Sequence, residues 1–321
     1  MKIVLQLIVL LLTAATAFAQ QAAQYSMYNF NQLNFNPAYA GLEQSLSLSA
    51  GLRKQWTGLE GSPSTQYLTA HMPLYIAGGG VGFIIENDEL GAERLTSASV
   101  AFNYQFEATR GVWSLGAGGG LVQRTLDGAK LRTPGGIYTE PGGINHEDDR
   151  LPLGVESGST STFHAGVYFQ SEKLDAGIAV RHLTAPKTPV GELQLELSRA
   201  YFFHLGLHFE LSSSLSLHPS VMIQSDVVQT QGFASILFSY NDNISAGLAF
   251  RGYSSNSLDA AVIMAGVKLS EKLSLGYAFD LTLSGLSAVN NGSHEIALNY
   301  NLGKLLGAGR PPRIIYNPRS N

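Results

Sequence analysis

The sequence predicts an all-β fold, a transmembrane antiparallel up-and-down β-barrel of about fourteen strands. Three observations lead to this prediction. The chain begins with an export signal, few of its residues are charged, and long segments alternate between apolar and polar residues. Such alternation is typical of strands with one apolar and one polar face.

The first residues have the order of a signal peptide. Lys2 provides a positive start, Ile3 to Leu12 is apolar, and Ala17-Phe18-Ala19 is a small-x-small cleavage site before Gln20. The alternative is an uncleaved membrane anchor, but the apolar run is shorter than the ~20 residues that a spanning helix needs. We therefore expect residues 1–19 to be removed on export.

Composition excludes several classes of protein. The chain has no cysteine, which rules out a disulfide scaffold, a thiolate metal site and a cysteine nucleophile. Its net charge of −4 offers no electrostatic basis for binding nucleic acid. Charged residues make up 14% of the chain, against ~25% in ordinary soluble proteins, and there are 35 glycines. This composition suits an outer-membrane barrel, although by itself it would also fit a secreted β-sandwich.

The period of the alternation decides between these two folds. In LSLGYAFDLTLS, from Leu273 to Ser284, large apolar residues occupy one face and small or polar residues the other. The same period recurs in VAFNYQFE, YFFHLGLHFEL and HEIALNYNL. Many segments run to about nine or ten residues, the length of a tilted strand that crosses a bilayer, whereas soluble strands are more often five or six. We predict strands near 45–53, 64–72, 79–87, 96–107, 112–124, 161–170, 174–182, 200–210, 215–225, 232–240, 244–251, 260–269, 273–282 and 293–302.

The links between these segments alternate between short and long. Short periplasmic turns and long outer loops are the expected asymmetry of such barrels. The longer links fall at 87–95, 125–160 and 183–199. If the first strand rises from the periplasm, the 125–160 loop lies outside the cell, where it can cap the mouth or fold into the lumen.

The chain therefore divides into four parts. Residues 1–19 form the signal peptide, 20–44 an N-terminal segment, 45–302 the barrel, and 303–321 a basic periplasmic tail. The N-terminal segment alternates asparagine with aromatic residues in YNFNQLNFNPAYAG. Amides that need hydrogen bonds and aromatics that need packing suit a segment folded into or under the barrel, so we expect it to be ordered there.

Histidines invite a metal-binding interpretation. His204 and His208 are four apart, which is ligand spacing on a helix, but on a strand they share the polar face about 13 Å apart. Both are expected to face the lumen. His146 precedes the acidic run Glu147–Asp149 and can bind a cation there; the alternative is a solvated acidic loop.

Two other patterns lack the groups that catalysis or phosphate binding needs. His294 beside Ser293 is similar to the pair in outer-membrane phospholipases, but no orienting amide completes it. The glycine runs Gly78–Gly80 and Gly116–Gly120 are not followed by Lys-Ser/Thr or by a helical pattern, so they are not phosphate loops. In a barrel, glycine makes room for a bend or for something packed inside. We expect no catalytic residue, metal or cofactor.

The residues also resemble a known family. YNFNQLNFNPAYAG, RKQWTGLEGSPSTQYLTAHMPL and SHEIALNYNL are similar to the PorP/SprF family of outer-membrane proteins, which is tied to the type IX secretion system and gliding motility in gram-negative bacteria. The matching positions are Asn36-Pro37-Ala38-Tyr39-Ala40-Gly41, Gln55-Trp56-Thr57-Gly58, Gly61-Ser62-Pro63, Thr65, His71, Pro73 and His294-Glu295-Ile296.

The resemblance implies an outer-membrane protein, surrounded by lipid, with no known enzymatic activity. Family members belong to the secretion and motility machinery or hold secreted adhesins on the cell surface. The tail from Gly303 onward departs from the pattern, because many such barrels end on an aromatic residue that directs assembly and here the nearest is Tyr300.

Two functions remain open at this point. One is a barrel that binds and anchors, or helps to export, a secreted protein; the other is a channel for a small or lipophilic solute. A plugged lumen favours the first and an open polar channel with a charged constriction the second. The candidate partner-contacting residues are Asn36, Pro37, Tyr39, Gly41, Trp56, Tyr138, Arg310, Arg313 and Tyr316.

Overall fold

A closed antiparallel sheet surrounds the N-terminal segment in the computed structural model, which describes residues 23–108, 110–138, 143–253, 257–304 and 306. The strands are β1 (Ser47–Lys54), β2 (Ser64–Leu74), β3 (Gly79–Leu90), β4 (Glu93–Ala108), β5 (Gly111–Asp127), β6 (Val155–Gln170), β7 (Leu174–Arg181), β8 (Lys187–Val190), β9 (Leu193–Glu196), β10 (Ala200–Leu207), β11 (Phe209–Ser212), β12 (Leu215–Ser225), β13 (Thr230–Tyr240), β14 (Ile244–Tyr253), β15 (Ser257–Lys268), β16 (Leu273–Thr282) and β17 (Ser293–Asn301).

Fourteen barrel strands result when β10 and β11 are counted as one and the separate β8–β9 hairpin is set aside. The pairing of β1 with β17 and of β10 with both β7 and β12 closes the sheet. This confirms the predicted fold. No helix in the part of the chain described is long and apolar enough to span a bilayer.

The two faces of the wall follow the alternation in the sequence. On β4, Val100 is 59% exposed on the outer face while Ala101, beside it, is 2% exposed on the inner face. Phe102 and Tyr104 continue the outer face, and Asn103 lies fully buried inside. The wall therefore presents an apolar outer band and a largely polar lumen, as the period predicted.

The two ends of the barrel differ in the length of their links. Short turns, such as those at 171–173 and 241–243, lie at the end where β1 begins, and longer links lie at the other end. By the usual asymmetry the short-turn end is periplasmic and the long-loop end extracellular. The predicted 125–160 loop is shorter than expected and spans 128–154, because β5 and β6 pair up to Asp127 and Val155.

One predicted link was wrong, and another contains two strands that were not predicted. The link at 87–95 is a two-residue turn, because β3 and β4 remain paired up to Leu90 and Glu93. Backbone pairing needs no apolar residues, so strands can continue beyond the membrane. The 183–199 link contains the β8–β9 hairpin, whose strands are four residues long and include Pro189, a residue that argues against a strand.

The β10–β11 break also has a local cause. Extending the β10–β12 register places Leu207 opposite Pro219. Proline has no N–H to donate, so the ladder is interrupted there. His208 occupies the gap, and its N–H donates to the carbonyl of Lys173 at 2.9 Å.

The N-terminal segment fills the lumen, as predicted. We call residues Gln24–Gly41 the plug; it contains three 3-10 turns, Tyr28–Phe30, Gln32–Asn34 and Pro37–Tyr39. Its aromatic rings form the core with the wall: Phe35 packs on Phe202 with ring centroids 5.5 Å apart, and Tyr28 packs on Phe233 at 5.0 Å. The hydrophobic core of the protein therefore lies between the plug and the barrel.

The outer band can be tested by placing a charge on it. We expect Val100→Arg to destabilise the barrel by about 2–4 kcal/mol, because the side chain would lie near the middle of the bilayer. Gln123→Arg is the control, since Gln123 is on the outer face of β5 above the apolar residues. Denaturant titrations in lipid vesicles measure the free energy of unfolding of both variants. Equal values for the two variants would contradict the position of the apolar outer band.

Candidate functional site

A buried cluster of charges fixes the beginning of the plug to the wall. Arg53 contacts Asp280 at 2.7 Å and Glu295 at 3.2 Å, and Arg251 contacts Asp280 at 2.9 Å. The plug residue Ser26 joins all of them: its N–H donates to Glu295 at 2.6 Å and its hydroxyl to Asp280 at 2.7 Å. The hydroxyl also accepts from Arg53 at 2.9 Å. The plug therefore completes the hydrogen bonding of charges that belong to four strands.

A second charged cluster binds the plug on the opposite side of the lumen. Glu86 of β3 contacts Arg181 of β7 at 3.3 Å. It also accepts from the Tyr25 hydroxyl and from the Asn34 amide, both at 2.8 Å. Arg181 in turn donates to the main-chain oxygen of Asn34 at 3.4 Å. These four residues show why the plug contains both asparagine and tyrosine: each satisfies a buried charge.

Asn36 fixes the path of the plug against the wall. Its side-chain oxygen accepts from the N–H of Ala38 at 2.9 Å and so caps the turn that begins at Pro37. Its side-chain nitrogen donates to the main-chain oxygens of Val167 and Ile178, at 3.0 and 3.2 Å. One amide thereby ties the plug to β6 and β7.

The next residues of the plug are held through their carbonyl groups. Asn103 donates to the oxygens of Ala38 and Ala40, at 2.7 and 2.6 Å, and Ser114 donates to Ala38 at 2.6 Å. Gly116 faces this turn, and a Cβ there would overlap the backbone of Ala38. Gly116 belongs to the glycine run Gly116–Gly120, and its position confirms the prediction that glycine in the wall makes room for a segment packed inside.

Gly41 ends the plug at a place that only glycine fits. Its φ is +72°, and a Cβ would lie 2.8 Å from the Cα of Gly80 and 2.9 Å from the Cα of Pro73. Its N–H donates to the ring of His71 at 3.2 Å. The chain can then turn from the lumen into β1.

Tyr39 lies at the periplasmic end of the plug. Its ring packs edge-on against Tyr168 and His71, with centroids 5.2 and 5.6 Å apart, and its hydroxyl donates to Glu43 at 3.1 Å. Glu43 also accepts from Asn301 of the last strand at 2.8 Å. The plug, the first strand and the last strand therefore meet here.

A cavity of about 170 Å³ lies below the plug at the periplasmic end. His204 and His208 both line it and both contact Asp175, at 3.1 and 2.6 Å. Asp175 lies on β7 opposite Gly206, midway between the two histidines. Sequence spacing missed this bridging carboxylate because it comes from another strand. Among the described residues there is no group of three or more side chains placed to hold a metal ion.

At the extracellular end, the described parts of the 128–154 loop, residues 128–138 and 143–154, pack around two side chains. The Tyr138 hydroxyl contacts the N–H of Thr133 at 2.7 Å and the His146 ring at 3.1 Å, and Arg132 lies over the Tyr138 ring at 4.6 Å. His146 is buried and contacts the Pro152 oxygen at 3.1 Å. Both side chains thus build the loop from within.

The acidic run that follows His146 contributes little to this packing. Asp148 accepts a hydrogen bond from the N–H of Arg150, which lowers the pKa of its carboxyl group, and the Arg150 side chain adds to the effect. Glu147 and Asp149 are exposed. The run is a solvated acidic surface on this loop.

The predicted partner-contacting residues are thus divided among separate places. Asn36, Pro37, Tyr39 and Gly41 are buried in the seated plug, where they fix its path. Trp56 lies far from them in the β1–β2 loop, with φ of +49° and its N–H donating to Ser293 at 3.0 Å. The structure does not bring these residues together as one surface, and their contact with a partner stays a prediction.

Four predicted features lie outside the described residues. They are the signal peptide and the tail residues Arg310, Arg313 and Tyr316. The tail leaves from the periplasmic end, where the Leu302 N–H donates to the oxygen of Leu46 at 2.9 Å.

The Ser26 cluster gives a test of plug seating. We expect Arg53→Ala to destabilise the protein by about 3–5 kcal/mol, because it leaves Asp280 and Glu295 buried with fewer partners. Chymotrypsin should then cut the plug at its aromatic residues while the barrel stays intact. The control is Arg94→Ala, which removes an exposed pair with Glu89 (2.7 Å) and should cost at most about 1 kcal/mol. An uncut plug in Arg53→Ala would contradict the anchoring role.

Gly116 allows a second test of the same seating by steric means. We expect Gly116→Ala to displace the turn at Ala38 and to speed chymotryptic cleavage of the plug. Gly232→Ala is the matched control, since it is also a strand glycine but a Cβ there meets nothing within 4 Å. If the two variants are cleaved at the same rate, the close approach at Gly116 does not hold the plug.

Comparison with solved structures returned other outer-membrane barrels. The CymD monoaromatic hydrocarbon channel is 13% identical with a TM-score of 0.46, and the match covers 85% of this chain and 93% of that chain. The Pseudomonas putida toluene transporter TodX is 12% identical with a TM-score of 0.44, covering 84% and 92%. The Acinetobacter baumannii outer membrane protein Omp33 is 6% identical with a TM-score of 0.45, covering 81% and 99%.

Comparison of the sequence with known families gave a different kind of match. No curated protein matches the chain. A family model described as type IX secretion system membrane protein PorP/SprF matches residues 17–300. Together with the closed barrel and its apolar outer band, this match places the protein in the bacterial outer membrane, in association with the secretion machinery. Because the family model matches most of the sequence, the chain belongs to the PorP/SprF family of type IX secretion system membrane proteins.

Proposed function

We propose that this outer-membrane component of the type IX machinery holds a secreted partner protein on its extracellular side, and that it catalyses no reaction. The observation that carries the proposal is the plug. The seated segment from Gln24 to Gly41 occupies the lumen, and the wall charges that would line a polar channel are bonded to it.

The plug argues against a channel through its chemistry as well as its position. An open channel would need Arg53 and Arg181 to face water or solute. In the seated state Arg53 is 1% exposed, and both arginines are paired with carboxylates and with plug atoms. Releasing the plug would remove the hydrogen bonds that Tyr25, Ser26 and Asn34 donate to these buried charges. A hydrogen bond to a charged group is worth about 1.5–3 kcal/mol.

The extracellular end supports the binding half of the proposal. The described parts of the 128–154 loop pack around buried His146. It exposes Ile137 at 49% and Leu153 at 59%, beside the acidic run. A surface with apolar and charged groups that keeps its conformation on binding loses little conformational entropy when a folded or extended protein partner binds.

Deletion of the gene in the producing bacterium tests this function. We expect secreted proteins to disappear from the cell surface and to accumulate in the medium or periplasm, because their anchor is missing. Quantitative mass spectrometry of surface-labelled cells measures this change. Wild-type surface levels together with reduced uptake of a small solute would show a transporter instead.

A complementation series then locates the binding surface. We expect a variant in which residues 131–153 are replaced by a short Gly-Ser linker to form a heat-modifiable barrel but to restore surface retention poorly. Exchange of the periplasmic turn at Glu172-Lys173 for Gly-Ser is the control, and it should restore retention fully. Full restoration by the loop variant would exclude the 128–154 loop as the binding surface.

A further inference from the structure

The upper part of β6 has a neighbour on one side only. β5 pairs with β6 along its whole length, from Asp127 opposite Val155 to Val112 opposite Gln170. On the other side β7 covers β6 only from Ala165 to Gln170. The segment Val155–Ser161, which we call the β6 edge, is therefore paired on that side with no strand among the described residues.

The hydrogen-bonding direction of this segment can be read from the residues below it. The carbonyl of Phe163 accepts from the N–H of Leu183 at 2.9 Å, and the carbonyl of Val167 accepts from the Asn36 side chain. The main-chain N–H and C=O groups of odd-numbered residues therefore point away from β5. Because these directions alternate along a strand, the main-chain groups of the β6-edge residues Val155, Ser157, Ser159 and Ser161 also point away from β5. Within the described ranges, the N–H and C=O groups of these four residues make no backbone hydrogen bond on that side.

The β6 edge continues the outer face of β6 beyond its apolar side chains, and its outer side chains are exposed. The apolar outer side chains of β6 run from Phe163 to Phe169, whereas Ser157, Ser159 and Ser161 continue the same face upward and are exposed. The β8–β9 hairpin packs against the inner face of β6, where a Cβ on Gly158 would overlap Pro189. The hairpin forms its own two-stranded sheet and does not extend the wall.

The edge also lacks two of the features that usually prevent strand addition, proline and lysine. Proteins protect exposed edges with proline, lysine, bulges or very short strands. The stretch VESGSTS has no proline and no lysine, and it pairs with β5 in unbroken register. Its outer side chains are Val155 and three small serines, and it spans roughly 20 Å at the rise of a β-strand. This length matches a typical strand of five or six residues.

We propose that the β6 edge is the docking element for the secreted partner, which adds one extended segment to the barrel wall as an extra strand. The inference rests on the proposed function. Main-chain hydrogen bonds to the four odd-numbered residues would provide affinity, and pockets for alternate side chains would provide selectivity. The partner segment is therefore extended, without proline at its paired positions, and belongs to a protein exported to the cell surface.

The edge can be blocked by one substitution in the full-length protein in its own bacterium. Ser159→Pro removes an N–H that points away from β5 and places the ring where the added strand would lie; the β5 ladder uses the even-numbered residues and is kept. We expect at least a tenfold loss of the surface proteins that gene deletion removes, with normal heat-modifiable mobility. Ser159→Ala keeps the N–H and should retain wild-type levels.

The outcomes separate the two proposals. If deletion removes surface proteins but Ser159→Pro retains them, the edge is not the docking element and the proposed function stands. If deletion itself changes no surface protein, the proposed function is wrong. A photo-crosslinker at Ser157 should give adducts with an exported protein; adducts with a second copy of this chain would overturn the proposal in favour of self-association.

Hydrogen exchange tests the same edge without any substitution. In the purified wild-type barrel, the amides of Ser157, Ser159 and Ser161 should exchange at least tenfold faster than those of Gly158 and Thr160. In the complex isolated from the bacterium by crosslinking, the three serine amides should slow at least tenfold. Unchanged serine exchange in that complex would overturn the proposal even if Ser159→Pro fails to fold.

Discussion

The structure depends on a buried charge cluster that is complete only when the plug is seated. Arg53, Asp280 and Glu295 come from three adjacent strands and are almost fully excluded from water. Their mutual contacts leave oxygen atoms that still need donors, and the main chain and hydroxyl of Ser26 provide them. Because unpaired buried charges are costly, the wall and the plug stabilise each other.

The same rule explains the rest of the plug. A lumen lined with polar groups and closed to water needs a hydrogen-bond partner for each group, and the plug has asparagines and free carbonyls for this purpose. Asn36 bonds to β6 and β7, while Asn103 of the wall bonds back to Ala38 and Ala40. Aromatic rings such as Phe35 fill the space between these polar contacts. The plug is therefore a folded part of the protein, with its own core.

The asymmetry of the two ends connects the fold with the proposed role. At the periplasmic end short turns surround the His204–Asp175–His208 group and the start of the tail. At the extracellular end β3 to β6 extend beyond the apolar band, whereas β7 ends at Arg181 and pairs with β6 only from Ala165 to Gln170. This step in wall height produces the β6 edge and leaves space for the β8–β9 hairpin inside it.

The sequence by itself determined the apolar and polar faces of the strands, the number of strands and that the N-terminal segment is ordered. These features follow from alternation and composition, which are local properties of the chain. The sequence also placed Asn36 and Gly41 in the ordered segment, although their bonding partners were not predictable. Only the tertiary structure decided that Arg53 meets Asp280, which is 227 residues away, and that Asp175 lies between His204 and His208. Such pairs depend on register and on barrel closure, which bring distant strands together and which no pattern within one strand encodes.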